Sequence, residues 1–308
     1  MTKDQFVEQI TEQLRKKFEG TGWSVDRDTF LKNNDIIRHA LILCPPGDDV
    51  ITPTVYVDDY YACYIQGKHT FPEILEQIYA LIQTVQGQLP DYQSITFELE
   101  ECKARIFFQL VSKEKNQMLL EECPYLPFLD LAVVFHIVCR CSEKGMETIR
   151  ITNRLMDYWQ ADMKQLMRLA EQNTPRIFPA RIESLGKVLS RYIKRRGAEG
   201  GTAPLSLSNG GGEYVSPLLI VTNDRGMYGS TAVLYRDLIK DAAEKYHTNF
   251  YMIPSSIHEV LLLPEHMGDG LHEISQMVRD VNLTRVREED ILSDHAYFYN
   301  RKDNTFSY

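Results

Sequence analysis

From residue 218 onward the hydrophobic spacing changes in a set order, and that order limits the fold more than any other feature of the chain. Residues 218–222 form a short apolar run that reads as a buried strand. Residues 228–246 carry Val233, Leu234, Leu238, Ile239, Ala242 and Tyr246 at helical spacing. Two strands follow, over 249–253 and 258–263, separated by a polar turn. Leu271, Ile274, Met277, Val278 and Val281 make the stripe of a helix over 270–282, and 295–300 is a last strand. An edge strand over 305–308 follows the Lys302-Asp303-Asn304 turn. Strand-helix-strand-strand-helix-strand is the split signature of a ferredoxin-like unit. It predicts that two turns, 223–229 and 254–258, converge on one surface.

The rest of the chain reads as two further regions. Phe6, Ile10, Leu14 and Phe18 recur every fourth residue, which predicts an amphipathic helix over 3–19 that stops at Gly20 and Gly22. Strands are expected over 23–30, 36–44 and 51–57, with a turn at Pro45-Pro46-Gly47-Asp48-Asp49. A short helix begins at Asp58, and a longer one over 70–85 is capped by Thr70 with Pro72 in its first turn. This makes an N-terminal α-β-β-β-α unit over 1–90. The middle, 91–196, is expected to be mixed and mostly helical: a helix over 98–111, a buried strand over 126–141 with a partner at 147–151, and helices over 154–160, 163–172 and 182–195. Asn173-Thr174-Pro175 is expected to break the third of these helices, because proline disfavours α geometry in the residue before it. Residues 197–217 are rich in Gly and Ser, lack periodicity and read as a flexible linker. The expected class is α/β (α+β), closing on a ferredoxin-like β-α-β-β-α-β unit over 218–308.

Composition removes several functions. A net charge of −9 opposes general affinity for nucleic acid or anionic membrane, since Lys and Arg neutralisation of phosphates dominates such binding. The apolar run 129–139 is interrupted by Asp130 and His136 and is too short to span a bilayer, and the start resembles no signal peptide. Six scattered cysteines without CxxC spacing read as reduced thiols. A cytoplasmic location is therefore expected. There is no HExxH, P-loop, EF-hand or GxSxG phrase, so no metal ligand set and no cofactor is expected.

Candidate chemistry concentrates in Pro254-Ser255-Ser256-Ile257-His258-Glu259, where hydroxyls, an imidazole and a carboxylate crowd one turn between apolar strands. Serine hydroxyls in turns ordinarily bond the nearby backbone. The catalytic alternative makes Ser255 or Ser256 a nucleophile and His258 its base, completed by Asp294. Asn223, Asp224 and Tyr228 lie in a strand-to-helix loop, a common place for ligand contact. With Ser255, Ser256, His258 and Glu259 they form the expected ligand or partner surface. The tyrosines Tyr56, Tyr60, Tyr61 and Tyr64 are either packing for the short helix or an aromatic patch.

Four phrases carry a family resemblance: Thr52-Pro53-Thr54-Val55-Tyr56, Asn173-Thr174-Pro175-Arg176, Pro254-Ser255-Ser256-Ile257-His258-Glu259 and Leu292-Ser293-Asp294-His295. They resemble a bacterial, clostridial family known as domain of unknown function 5688, and the likeness spans nearly the whole chain. The resemblance implies no activity and no catalytic residue. The expected function is a non-enzymatic binding or regulatory module for a protein or small-molecule partner. The alternative is a hydrolase or transferase using Ser255 or Ser256 with His258.

Overall fold

In the first stretch of the chain, Thr2 and Gln5 cap each other's backbone amides and start helix α1 (Lys3–Phe18). The helix buries Phe6, Val7, Ile10, Leu14 and Phe18. They pack on an antiparallel sheet of β1 (Ser24–Leu31), β2 (Ile37–Cys44) and β3 (Thr54–Tyr56), and on α2 (Asp58–Ile65) and α3 (Phe71–Gln86). Tyr61 and Tyr64 each lie 5.3 Å from the Phe6 ring, which is the packing role rather than a free aromatic patch. This is a computed structural model, and it describes residues 1–46, 53–86, 97–142, 145–188, 190 and 218–308. The linker expected over 197–217 lies outside them. The chain forms two compact units, Met1–Phe97 and Glu98–Tyr308.

The second unit begins with the short turn α4 (Leu99–Cys102) and then β4 (Ile106–Ser112), every residue of which is buried. A helix was expected over 98–111. A fully buried strand and a buried helix look alike over so few residues, and only the sheet partner separates them. That partner is β6 (Leu131–Ser142), whose Phe135 stands opposite Phe108. With β5 (Tyr125–Phe128) and β7 (Gly145–Arg150), also on β6, they make a four-stranded antiparallel sheet. The middle region is thus built on a sheet, with α5 (Gln117–Glu122), α6 (Asn153–Tyr158) and α7 (Met163–Ile177) around it. Helix α7 runs through Pro175, where a break was expected, and ends at Ile177; Asn173 Nδ2, bonded to Lys103 O and Ile106 O, and Thr174 Oγ1, bonded to Ala170 O, hold that end in place. The outer edge of β4 is closed by two hydroxyls: Phe108 N donates to Thr174 Oγ1 (3.1 Å) and Leu110 N to Thr231 Oγ1 (3.0 Å).

The helix expected over 182–195 starts only at residue 185, and beyond residue 190 it lies outside the described residues; Ala180–Ser184 is strand β8, with Ile182 opposite Val221. It edges a six-stranded antiparallel sheet with β9 (Leu219–Asn223), β10 (Phe250–Ser256), β11 (Glu259–Pro264), β12 (Tyr297–Asn300) and β13 (Thr305–Ser307). Helix α8 (Leu238–Tyr246) joins β9 to β10, and α9 (Leu271–Arg285) joins β11 to β12. The sequential order is the expected β-α-β-β-α-β, and the protein is α+β. Across the sheet, however, the strands run β13-β12-β10-β11-β9-β8, so the β10–β11 hairpin is central. A ferredoxin-like sheet would centre the first and third strands and carry both helices on one face. Here α8 packs on Leu219, Val221, Phe250, Met252, Val260 and Leu262, in the large core. Helix α9 packs on Tyr251, Ile253, Leu261 and Leu263, on the opposite face. Strands buried on both faces read as apolar runs, which hides from the sequence which face each helix takes.

Candidate functional site

Strands β9 and β11 are antiparallel, with Val221 opposite Val260, so the end of β9 and the start of β11 share one end of the sheet. The two turns singled out in the sequence therefore meet. Asn223 is buried and closes its own loop: its Nδ2 donates to Met227 O (2.6 Å) and its Oδ1 accepts from Arg225 N (2.9 Å). Tyr228 takes a left-handed backbone (φ 55°). Gly229 then passes so close that a Cβ would stand 2.2 Å from His258 O and 2.3 Å from Thr222 Oγ1, so only glycine fits. Three bonds stitch the turns together. Thr222 Oγ1 donates to His258 O (2.9 Å), Ser230 Oγ to Ile257 O (2.8 Å), and Tyr228 N to His258 Nδ1 (3.2 Å).

The last bond decides the state of His258. Because Nδ1 accepts an amide proton, the neutral ring carries its own proton on Nε2, which lies 3.3 Å from Asp290 Oδ1. Asp290 also accepts from Arg287 Nε (2.8 Å). Both ring nitrogens are thus engaged. The serines are turned elsewhere: Ser255 Oγ donates to Glu259 Oε1 (3.2 Å), and Ser256 Oγ accepts from His258 N (3.0 Å). Asp294 does not approach His258. Lys115 Nζ (2.7 Å) and Asn282 Nδ2 (2.8 Å) hold it instead, and although burial opposes ionisation these partners keep its carboxyl below the usual range. Asp224 is exposed at the loop tip. The fold brings Asn223, Tyr228, Ser255, Ser256, His258 and Glu259 together and leaves Asp294 with other partners.

A second polar cluster had no counterpart in the sequence reading. His295 Nε2 lies 2.8 Å from Asp130 Oδ2, its Nδ1 lies 3.0 Å from Ala296 O, and Tyr297 Oη donates to Asp130 Oδ1 (2.7 Å). The Asp130 bond raises the His295 pKa despite burial. Burial pushes Asp130 the other way, yet the bonds from His295 and Tyr297 hold it below its ordinary value. Tyr308 stacks on His295 at 5.2 Å and 17°. Asp130 follows Leu129, a non-glycine residue at φ 56°, in the tight β5–β6 turn. One signal was visible: a lone acid in an otherwise apolar run needs a partner if it is buried.

Residues 287–296 tie these parts together. Asp290 faces His258, Asp294 faces Lys115 and His295 faces Asp130. A cavity of about 430 Å³ lies against this segment, lined by Lys115, Arg279, Asn282, Leu283, Val286 and Asp294 among others. Among the described residues no three His, Cys, Asp or Glu side chains form a metal-ligand group, and no helix is long and apolar enough to cross a membrane.

A family model described as a family of unknown function, DUF5688, matches residues 3–301. The chain belongs to that family. No curated protein and no solved structure matches it. The phrases that carried the resemblance to DUF5688 include the 254–259 turn, which meets the 287–296 segment through His258 and Asp290, and residues 292–295, which belong to that segment and reach Asp130 through His295.

Proposed function

We propose that this DUF5688 protein is a non-enzymatic binding or regulatory module of the bacterial cytoplasm. Its recognition surface is the end of the six-stranded sheet where the 223–229 loop, the 254–259 turn and the 287–294 segment meet. The observation that carries this reading is the double engagement of His258. A general base needs a nitrogen lone pair within reach of the hydroxyl proton. In this site the lone pair of Nδ1 belongs to Tyr228 N, and Nε2 faces a carboxylate. The polar turn is built to hold its shape, while the neighbouring cavity stays open to an occupant. The hydrolase or transferase reading is tested by assaying the protein and its Ser255→Ala, Ser256→Ala and His258→Ala variants on ester, phosphoester and peptide substrates. No turnover is expected from any of them. Turnover abolished by both a serine change and His258→Ala would replace binding with catalysis.

A further inference from the structure

Helix α9 presents two unanswered polar groups to the 430 Å³ cavity, a volume ordinary for a small-molecule site. Arg279 has no hydrogen bond or ion pair among the described residues. Asn282 is buried, and its Nδ2 is used on Ser293 O (2.9 Å) and Asp294 Oδ1 (2.8 Å), which leaves its Oδ1 without a donor among the described residues. The two residues stand three apart and so adjoin on the helix surface. Lys115, the other cation in the lining, is already neutralised by Asp294 at 2.7 Å. Leu283, Val286 and Ile291 supply apolar wall, the lining also carries the Glu288 carboxylate, which has its own interaction in the fold, and Leu283 is 84% exposed with nothing over it among the described residues. An occupant that satisfies all of this brings a two-oxygen anion for the guanidinium, an N–H for the amide oxygen and an apolar group.

We propose that this cavity binds the carboxyl end of an apolar α-amino acid, either free or as the last residue of a peptide. The carboxylate takes the Arg279 fork, the adjoining nitrogen donates to Asn282 Oδ1, and the side chain lies on Leu283, Val286 and Ile291. The inference rests on the reading of the protein as a binding module and names the chemistry of one part of its surface.

The test is an amide-resolved NMR titration of the full chain with four probes: L-leucine, N-acetyl-L-leucine, 4-methylpentanoate and L-leucinamide. Saturable shifts confined to residues 279–294 and their neighbours are expected with at least one of the first two. 4-Methylpentanoate lacks the nitrogen and L-leucinamide lacks the carboxylate, so each should bind about tenfold more weakly or worse. Tighter binding of L-leucine identifies a free amino acid, and tighter binding of the N-acetyl form identifies a peptide end. Arg279→Ala should weaken the better probe by about tenfold or more. Leu283→Ala should weaken it less. Both residues are exposed, so the variants keep the fold. Equal binding of 4-methylpentanoate, full binding by Arg279→Ala, or no saturable shift from either leucine probe would overturn the proposal. The last result without turnover overturns only the amino-acid class, whereas serine-dependent turnover overturns the binding reading beneath it.

Discussion

Two histidines of the second unit meet burial in opposite ways. His136 lies on β6 in an aromatic stack, 5.4 Å from the Phe107 ring and 6.3 Å from that of Tyr228, and its Nδ1 has no partner among the described residues. Burial, helped by the charge of Arg150, pushes its pKa down to about 3, so the ring is neutral. His295 is also removed from bulk water, but Asp130 reaches it and its pKa is raised. Full burial beside a cation removes the proton from His136, whereas a carboxylate at hydrogen-bond distance keeps it on the less deeply buried His295. Neither ring is poised as a base near neutral pH, one because protonation is too costly and the other because both nitrogens are engaged.

The largest expected effect comes from the neutral ring. In the unfolded chain His136 titrates near 6.5, and in the fold only near 3, so between those values the unfolded state binds more protons. Its share of stability therefore falls with acidification, by up to about 1.4 kcal/mol per pH unit below the unfolded value. His136→Phe keeps the stack and removes the titrating group. Urea denaturation from pH 6.5 to pH 4.5 should show the variant gaining steadily on the parent. Parallel curves would mean that the ring finds a partner when protonated.

Asp130→Asn attacks the other member of the comparison. Loss of one partner from a fully buried pair costs about 3–5 kcal/mol; both side chains here keep about a third of their exposure, so about 1–2 kcal/mol is expected. The raised His295 contributes fully below its unfolded value of 6.5 and fades as pH rises through its folded one. The lowered Asp130 contributes above 3.8 and fades as pH falls through its folded value. The penalty of Asp130→Asn should thus be greatest between roughly pH 4 and 6.5 and smaller at pH 9. An equal penalty at pH 6 and pH 9 would reduce the pair to a neutral hydrogen bond. The smallest effect is that of Tyr308→Ala, which removes the stacked face over His295. It should cost about 0.5 kcal/mol and lower the His295 pKa slightly in an NMR titration.

Much of the architecture was legible because its cause is local. The stripes of α1, α3 and α9 repeat within one helix. The strands and turns of 218–300 also declare themselves by spacing and turn chemistry. Strand β4 did not, because its identity depends on pairing with β6 some twenty-five residues later. The candidate site divides in the same way. Ser255, Ser256, His258 and Glu259 are adjacent in the chain, so their meeting was visible, and the neighbouring 223–229 loop followed from the strand pattern. Asp290, which faces His258, and Asp130, which is 165 residues from His295, carry no local mark of their partners.

Read alone, then, the chain determined its longer amphipathic helices, most of its strands, its family likeness and the residues crowded into one polar turn, since each depends on neighbours a few positions away. Tertiary structure decided what those residues are free to do. It placed the β10–β11 hairpin at the centre of the sheet with helices on opposite faces, gave both nitrogens of His258 to the fold, and left Arg279 without a partner among the described residues, beside a cavity. The physical reason is range: periodicity and capping act over single turns of backbone, whereas a proton's position is set by whichever donor or carboxylate the finished fold brings within about 3 Å.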